Sequence, residues 1–108
     1  MTEPADAASR PPEQHAPEGA IVRVLPIVNS KGLHARAAAQ FVLTVEKFDA
    51  AVKVTRGHET VGGDSIMGLL MLSAGPGTSI TVTAAGAQAA EVMMALEALV
   101  AGRFGEGE

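Results

Sequence analysis

Three segments of the chain have the residue pattern of β-strands. Residues 21–28 are nearly all apolar or β-branched, which predicts a strand, and Pro26 has no backbone N–H to donate. This strand should therefore lie at the edge of a sheet or contain a bulge. Two further segments, residues 51–55 and 78–84, alternate apolar and polar side chains as half-buried strands do. Residues 56–59 predict a hairpin turn, and residues 60–61 would start a short return strand.

Three other segments predict helices. Residues 35–47 are rich in helix formers with apolar residues at helical spacing, and residues 87–101 have one apolar face opposite a polar one. The third segment is residues 66–72, where Asp64 or Ser65 can cap the N-terminus and a following Gly-Pro-Gly sequence ends the helix.

The resulting order of elements is βαββαβα. Three helices can cover one face of a four-stranded sheet, and the hairpin and short links favour antiparallel strands. We therefore predict an α+β domain at residues 20–104. Residues 1–19 mix proline, acidic residues and alanine without periodicity, which predicts a disordered arm, and residues 105–108 should form a flexible tail.

Composition narrows the possible functions. The chain has 108 residues, of which 47% are apolar and 19% charged, enough for one domain with a modest core. It contains no cysteine, so disulfides and thiolate metal sites are excluded. A net charge of −4 and the absence of Trp and Tyr disfavour nucleic acid as a partner. Neither a membrane span nor a signal peptide is indicated, and we expect a cytoplasmic protein.

His34 is the candidate reactive residue, because it falls at the N-terminal boundary of the first predicted helix. There its ring would lie beside unpaired backbone N–H groups and the positive end of the helix dipole, which opposes a positive ring charge and favours a nucleophilic nitrogen. The same N–H groups would bind a phosphoryl group on that nitrogen, and Arg36 could add a forked donor. On spacing alone, His34 could equally be a simple N-cap beside an ordinary surface arginine.

Residues 32–36 and residues 65–69 form two motifs, Gly-Leu-His-Ala-Arg and Ser-Ile-Met-Gly-Leu, that resemble the HPr family, the histidine-containing phosphocarriers of the bacterial phosphotransferase system. Residues 32–36, Gly-Leu-His-Ala-Arg, resemble the family's histidine motif. Residues 65–69, Ser-Ile-Met-Gly-Leu, resemble its regulatory serine and the helix that follows, at the family's distance from the histidine. The resemblance covers residues 20–104 and implies an open-faced β-sandwich with antiparallel strand order 1-4-2-3. Ala37 replaces the family's usual proline and, with Asn29, is similar to the nitrogen-related, regulatory branch.

The resemblance implies a shuttle rather than an enzyme. His34 would accept a phosphoryl group on Nδ1 from phosphorylated enzyme I, itself charged by phosphoenolpyruvate, and pass it to an enzyme IIA-type protein. Arg36 would stabilise the phosphate, and Ser65 would be the regulatory site for an HPr serine kinase/phosphorylase. The resemblance implies no metal or cofactor. The chain would act as a monomer, without a nucleic-acid or membrane partner, in sugar transport or nitrogen regulation.

The predicted helix at residues 66–72 is apolar nearly all round, although a short helix on a sheet can bury only one face. Part of it should be exposed, and an exposed patch with adaptable methionines suits a carrier that meets several partners. A helix sunk unusually deep in a small core, or scattered exposed apolar residues, would be the alternative explanation. The predicted docking residues are Ile66, Met67, Leu70 and Met71, with Ala35, Arg36 and Ala39 from the first helix.

Three functions are therefore open. The first is the phosphocarrier. The second is a regulatory binding protein that is controlled mainly by phosphorylation of Ser65 and transfers little phosphate. The third is a small α/β interaction domain in which His34 is only a helix cap.

Overall fold

The computed structural model describes residues 19–106. The elements are β1 (Ile21–Pro26), α1 (Ala35–Glu46), β2 (Ala51–Arg56), β3 (Glu59–Gly62), α2 (Ile66–Met71), β4 (Ser79–Ala85) and α3 (Ala89–Ala101), followed by a 3₁₀ turn, Arg103–Gly105. This order confirms the predicted βαββαβα arrangement. The prediction of a disordered arm concerns residues that, apart from Gly19, lie outside the described part of the chain.

The four strands form one antiparallel sheet in the order β1-β4-β2-β3, which confirms the expected topology. Strand β1 lies at the edge of the sheet, as the proline in it predicts, and Pro26 pairs with Ser79 at the end of the ladder. The strand is shorter than predicted because its partner β4 begins at that position. Arg56 pairs with Glu59, so the hairpin turn has two residues rather than the predicted four.

All three helices contribute side chains to one core. Alternate residues of β2 and β4 are buried, as their sequence pattern predicts: Val52, Val54, Ile80, Val82 and Ala84. Helices α1, α2 and α3 bury Phe41, Leu69 and Leu96 respectively. Each fully buried Val, Ile, Leu or Phe side chain contributes about 1.5–3 kcal/mol to folding. On β1, Val22 and Val24 alternate with the buried Leu25 and are exposed, so the sheet has an open face.

The loop between β1 and α1 is attached to the turn that follows α2. The N–H of Leu33 donates to the carbonyl oxygen of Ala74 at 2.8 Å, and the N–H of Ile27 donates to the carbonyl oxygen of Thr78 at 2.8 Å. The Leu33 side chain is buried in the core. These contacts fix the start of α1, where the candidate histidine lies, relative to α2.

Helix α1 also packs directly against α2 and α3.

Within residues 19–106, no helix has the length and apolar character that a membrane span needs.

Candidate functional site

His34 occupies the N-cap position of α1, as the sequence predicts. Its backbone is extended, with φ −83° and ψ −176°, and its carbonyl oxygen accepts the first helical hydrogen bond, from Ala38 at 2.8 Å. Its imidazole makes no capping hydrogen bond to the helix, and 28% of the side chain is exposed. The ring therefore does not perform the capping task that a purely structural role would assign to it.

Three backbone N–H groups at the start of α1 have no acceptor within the helix. They belong to Ala35, Arg36 and Ala37, because the helical ladder begins at Ala38. Together with the helix dipole, they form a site that suits an anion. Ala37 is fully buried and has an N–H group that the family's usual proline would lack.

The ring of His34 is held by a carboxylate from the other end of the described chain. Nε2 lies 2.5 Å from Oε2 of Glu106, whose side chain is only 14% exposed. An ionised carboxylate only accepts hydrogen bonds, so the bond places a proton on Nε2. In the neutral ring, Nδ1 then has the lone pair and is the nucleophilic nitrogen.

Asn29 lies beneath this contact and is completely buried. Its Nδ2 donates to the carbonyl oxygen of Gly32 at 2.8 Å and approaches the two carboxylate oxygens of Glu106 at 3.2 and 3.3 Å. The Asn29 side chain therefore links the loop before His34 to the carboxylate on the histidine ring.

Arg36 is exposed on the first turn of α1, two residues after His34. Its side chain makes no hydrogen bond or ion pair to any other residue within 19–106, which leaves the guanidinium available to a bound anion. The structure thus places Arg36 on the same helical turn as the candidate histidine.

Ser65 is the N-cap of α2, which decides between the two predicted caps. Its hydroxyl oxygen accepts a hydrogen bond from the backbone N–H of Gly68 at 3.0 Å. The side chain is half-buried, so the hydroxyl is close to the surface.

The apolar surface on α2 is smaller than the sequence predicts. Met67, Met71 and Ile66 are 68%, 65% and 40% exposed, whereas Leu70 is half-buried and packs against the core. On α1, Ala35 and Arg36 are exposed and Ala39 is half-buried. We call Ile66, Met67 and Met71 the α2 patch.

Two residues of this site are not predicted from the sequence. Glu106 falls in the predicted tail at residues 105–108, and nothing near it in sequence indicates a contact with a histidine 72 residues earlier. Asn29 entered the sequence analysis only through the likeness to the nitrogen-related branch, and not as a buried residue of the site. Its position directly after the apolar residues 27–28 was the one available sign that it is buried.

Comparison with known proteins places the chain in a family. Residues 21–102 match the family model described as "PTS HPr component phosphorylation site". The phosphocarrier protein HPr of Neisseria meningitidis is 50% identical over 82 residues, which cover 76% of this chain and 92% of that protein. The phosphocarrier protein NPr of Shewanella violacea is 38% identical over 84 residues, which cover 78% of this chain and 92% of that protein.

A solved structure agrees with the match. The crystal structure of HPr-C-His from Thermoanaerobacter tengcongensis superposes with a TM-score of 0.78 at 35% identity, covering 82% of this chain and 99% of that one. The resemblance predicted from residues 32–36 and 65–69 is confirmed. The chain belongs to the HPr family of the phosphotransferase system, whose members are phosphocarrier proteins rather than enzymes.

Proposed function

We propose that this chain accepts a phosphoryl group on Nδ1 of His34 from phosphorylated enzyme I and passes it to a histidine of an enzyme IIA-type protein. One observation carries the proposal. The bond from Nε2 to Glu106 leaves Nδ1 as the nucleophile, at the start of a helix with three free N–H groups.

The proposed step is an in-line displacement at phosphorus. The lone pair of Nδ1 forms the new N–P bond while the N–P bond of the donor breaks. The free N–H groups of α1 stabilise the phosphoryl oxygens, and Arg36 adds a charged, forked donor. Onward transfer is the same displacement with His34 as the leaving group.

Partner docking is assigned to the α2 patch and to the exposed side chains of Ala35 and Arg36. Helices α1 and α2 pack against each other, so the α2 patch and the reactive histidine belong to neighbouring elements. Exposed methionines adapt to different partner surfaces, which supports docking of both a donor and an acceptor.

Regulation is assigned to Ser65, phosphorylated by an HPr serine kinase/phosphorylase. A phosphate there adds about −1.5 to −2 charges at the edge of the α2 patch. The start of α2 tolerates a negative charge, so the fold would stand while docking of an apolar or acidic partner surface is opposed. The relay would serve sugar transport or nitrogen regulation, and the chain would act as a monomer in the cytoplasm, where enzyme I uses phosphoenolpyruvate.

The test is labelling with ³²P-phosphoenolpyruvate and enzyme I. We expect acid-labile label on the wild type and on His58→Ala, a control at an exposed turn, and none on His34→Ala. Label on His34→Ala at the wild-type level would move the site elsewhere. Acid-stable, ATP-dependent label alone would instead support the regulatory binding protein, and no label of either kind would support the interaction domain.

A further inference from the structure

We propose that Asn29 and Glu106 are positioning residues for phosphoryl transfer. Asn29 holds the Glu106 carboxylate on Nε2 of His34, and this contact keeps one proton on Nε2 throughout the relay. Nδ1 is therefore always both the attacking and the leaving nitrogen. This inference rests on the proposed function and adds to it the group that selects the reactive nitrogen.

The first support is the arrangement of bonds around Asn29. It is the one buried polar side chain among the described residues. Its amide nitrogen donates to the Gly32 carbonyl and to the Glu106 carboxylate, and the same Gly32 oxygen accepts from the backbone N–H of His34. The amide thus connects both sides of the histidine: the loop that carries it and the carboxylate that orients its ring.

The second support is that the Asn29 side chain is poorly suited to a purely structural role. Its Oδ1 is buried and has no hydrogen-bond partner among the described residues. A buried acceptor without a partner opposes folding, and an apolar side chain of similar size would avoid that loss. The contribution of the amide therefore lies in the two groups to which it donates.

The third support is the backbone that brings Glu106 to the site. Arg103 and Phe104 adopt the left-handed region, with φ of 60° and 54°, which costs energy for residues other than glycine. Burial of the Phe104 side chain maintains this turn. Glu106 also lies beyond residues 21–102, which match the family model, so the match does not account for its contact with the histidine.

The chemistry of the relay gives the contact its purpose. When Nδ1 attacks phosphorus, its lone pair becomes the N–P bond and the ring, still protonated on Nε2, gains a positive charge. The adjacent carboxylate stabilises that charge, as in other carboxylate–histidine pairs. In the onward step the electron pair returns to Nδ1, the ring becomes neutral, and the Nε2 proton has not moved. Without the carboxylate, the neutral ring also adopts the Nδ1–H form, which cannot attack through Nδ1.

Nitrogen NMR of the His34 ring in the full chain tests the contact without enzyme I. At about pH 9, where histidine side chains are ordinarily neutral, we expect the wild type to carry its proton on Nε2. Asn29→Leu and Glu106→Gln should each raise the share of the Nδ1–H form and slow phosphoryl transfer by about tenfold. The double variant should be no slower than the slower single variant, because both changes act through one contact.

Glu97→Gln is the matched control, since this partly exposed carboxylate on α3 pairs with Arg23 and not with a histidine. It should leave both the ring spectrum and the transfer rate unchanged. If Asn29→Leu does not fold, Asn29→Ala, which retains no donor, is measured in the same way. A wild-type ring spectrum and transfer rate in folded Asn29 variants would overturn the proposal, even with a lowered melting temperature. A wild type that takes no label from enzyme I would contradict the proposed function, which the ring spectra do not address.

Discussion

The backbone N–H of Leu33 donates to the carbonyl oxygen of Ala74 at 2.8 Å, across the gap between the loop before α1 and the turn after α2. Gly32 makes this approach possible. A Cβ atom at position 32 would lie 2.6 Å from the same Ala74 oxygen and 2.8 Å from the Cα of Gly75. Gly32 also has a φ of +66°, which favours glycine.

Gly32→Ala should therefore destabilise the fold and displace His34. Gly57 is a matched control, because its φ is +63° but nothing lies within 4 Å of an added Cβ. Gly57→Ala should cost about 1–2 kcal/mol for the left-handed backbone, and Gly32→Ala about 1–3 kcal/mol more for the clash. Urea unfolding measures both variants, and equal losses of stability would contradict the argument.

Arg36→Ala should slow phosphoryl transfer without lowering the melting temperature. The side chain is exposed and makes no bond within the described residues, so its charge is free to act on the phosphoryl group. Losing a charged hydrogen bond of about 1.5–3 kcal/mol corresponds to a rate loss of roughly 10- to 100-fold. Arg36→Lys retains the charge but not the forked pair of donors, so its transfer rate should lie between those of the wild type and Arg36→Ala. An unchanged initial rate for Arg36→Ala would refute the assigned role.

Met67→Glu should weaken docking to enzyme I. The matched control is Met94→Glu. Met67 and Met94 are 68% and 69% exposed, so neither of the two substitutions removes a buried side chain. Only Met67 lies in the α2 patch, and Met94 on α3 is the control. We expect a higher KM for Met67→Glu in the enzyme I reaction and a wild-type KM for Met94→Glu, with similar melting temperatures. Equal KM values in the two variants would remove the α2 patch as the docking surface.

Two substitutions at Ser65 should affect different properties, one the stability of the fold and the other the rate of phosphoryl transfer. Ser65→Ala removes the hydroxyl that accepts from Gly68, which should cost about 1 kcal/mol of stability and leave the transfer rate unchanged. Ser65→Asp retains a capping oxygen and adds charge beside the α2 patch, so the melting temperature should stay nearly constant while transfer slows. Thermal unfolding and initial rates with enzyme I distinguish the two effects. Unfolding by Ser65→Asp, or its transfer at the wild-type rate, would refute the docking switch.

The fold was predictable because its pattern is local. Alternation in residues 51–55 and 78–84 indicates half-buried strands, and the proline of β1 indicates that this strand lies at an edge of the sheet. His34 and Arg36 were identified because a glycine turn precedes a helix-forming segment. The contact of Glu106 was not predictable, since it depends on how the 3₁₀ turn after α3 packs through Phe104. Periodicity also does not show that Leu70 turns toward the core while Met71 does not.

The strand order also determines when the site forms during folding. Only β2 and β3 are joined by a tight hairpin, whereas β1 pairs solely with β4, far along the chain. Non-local pairings form slowly because they close long loops, so the hairpin should form early and β1 late. The loop that carries His34 is tied to Ala74, in the connection that leads into β4. Enzyme I should therefore phosphorylate only completely folded molecules. After dilution from denaturant, the phosphorylated fraction should rise later than the β2–β3 hairpin forms.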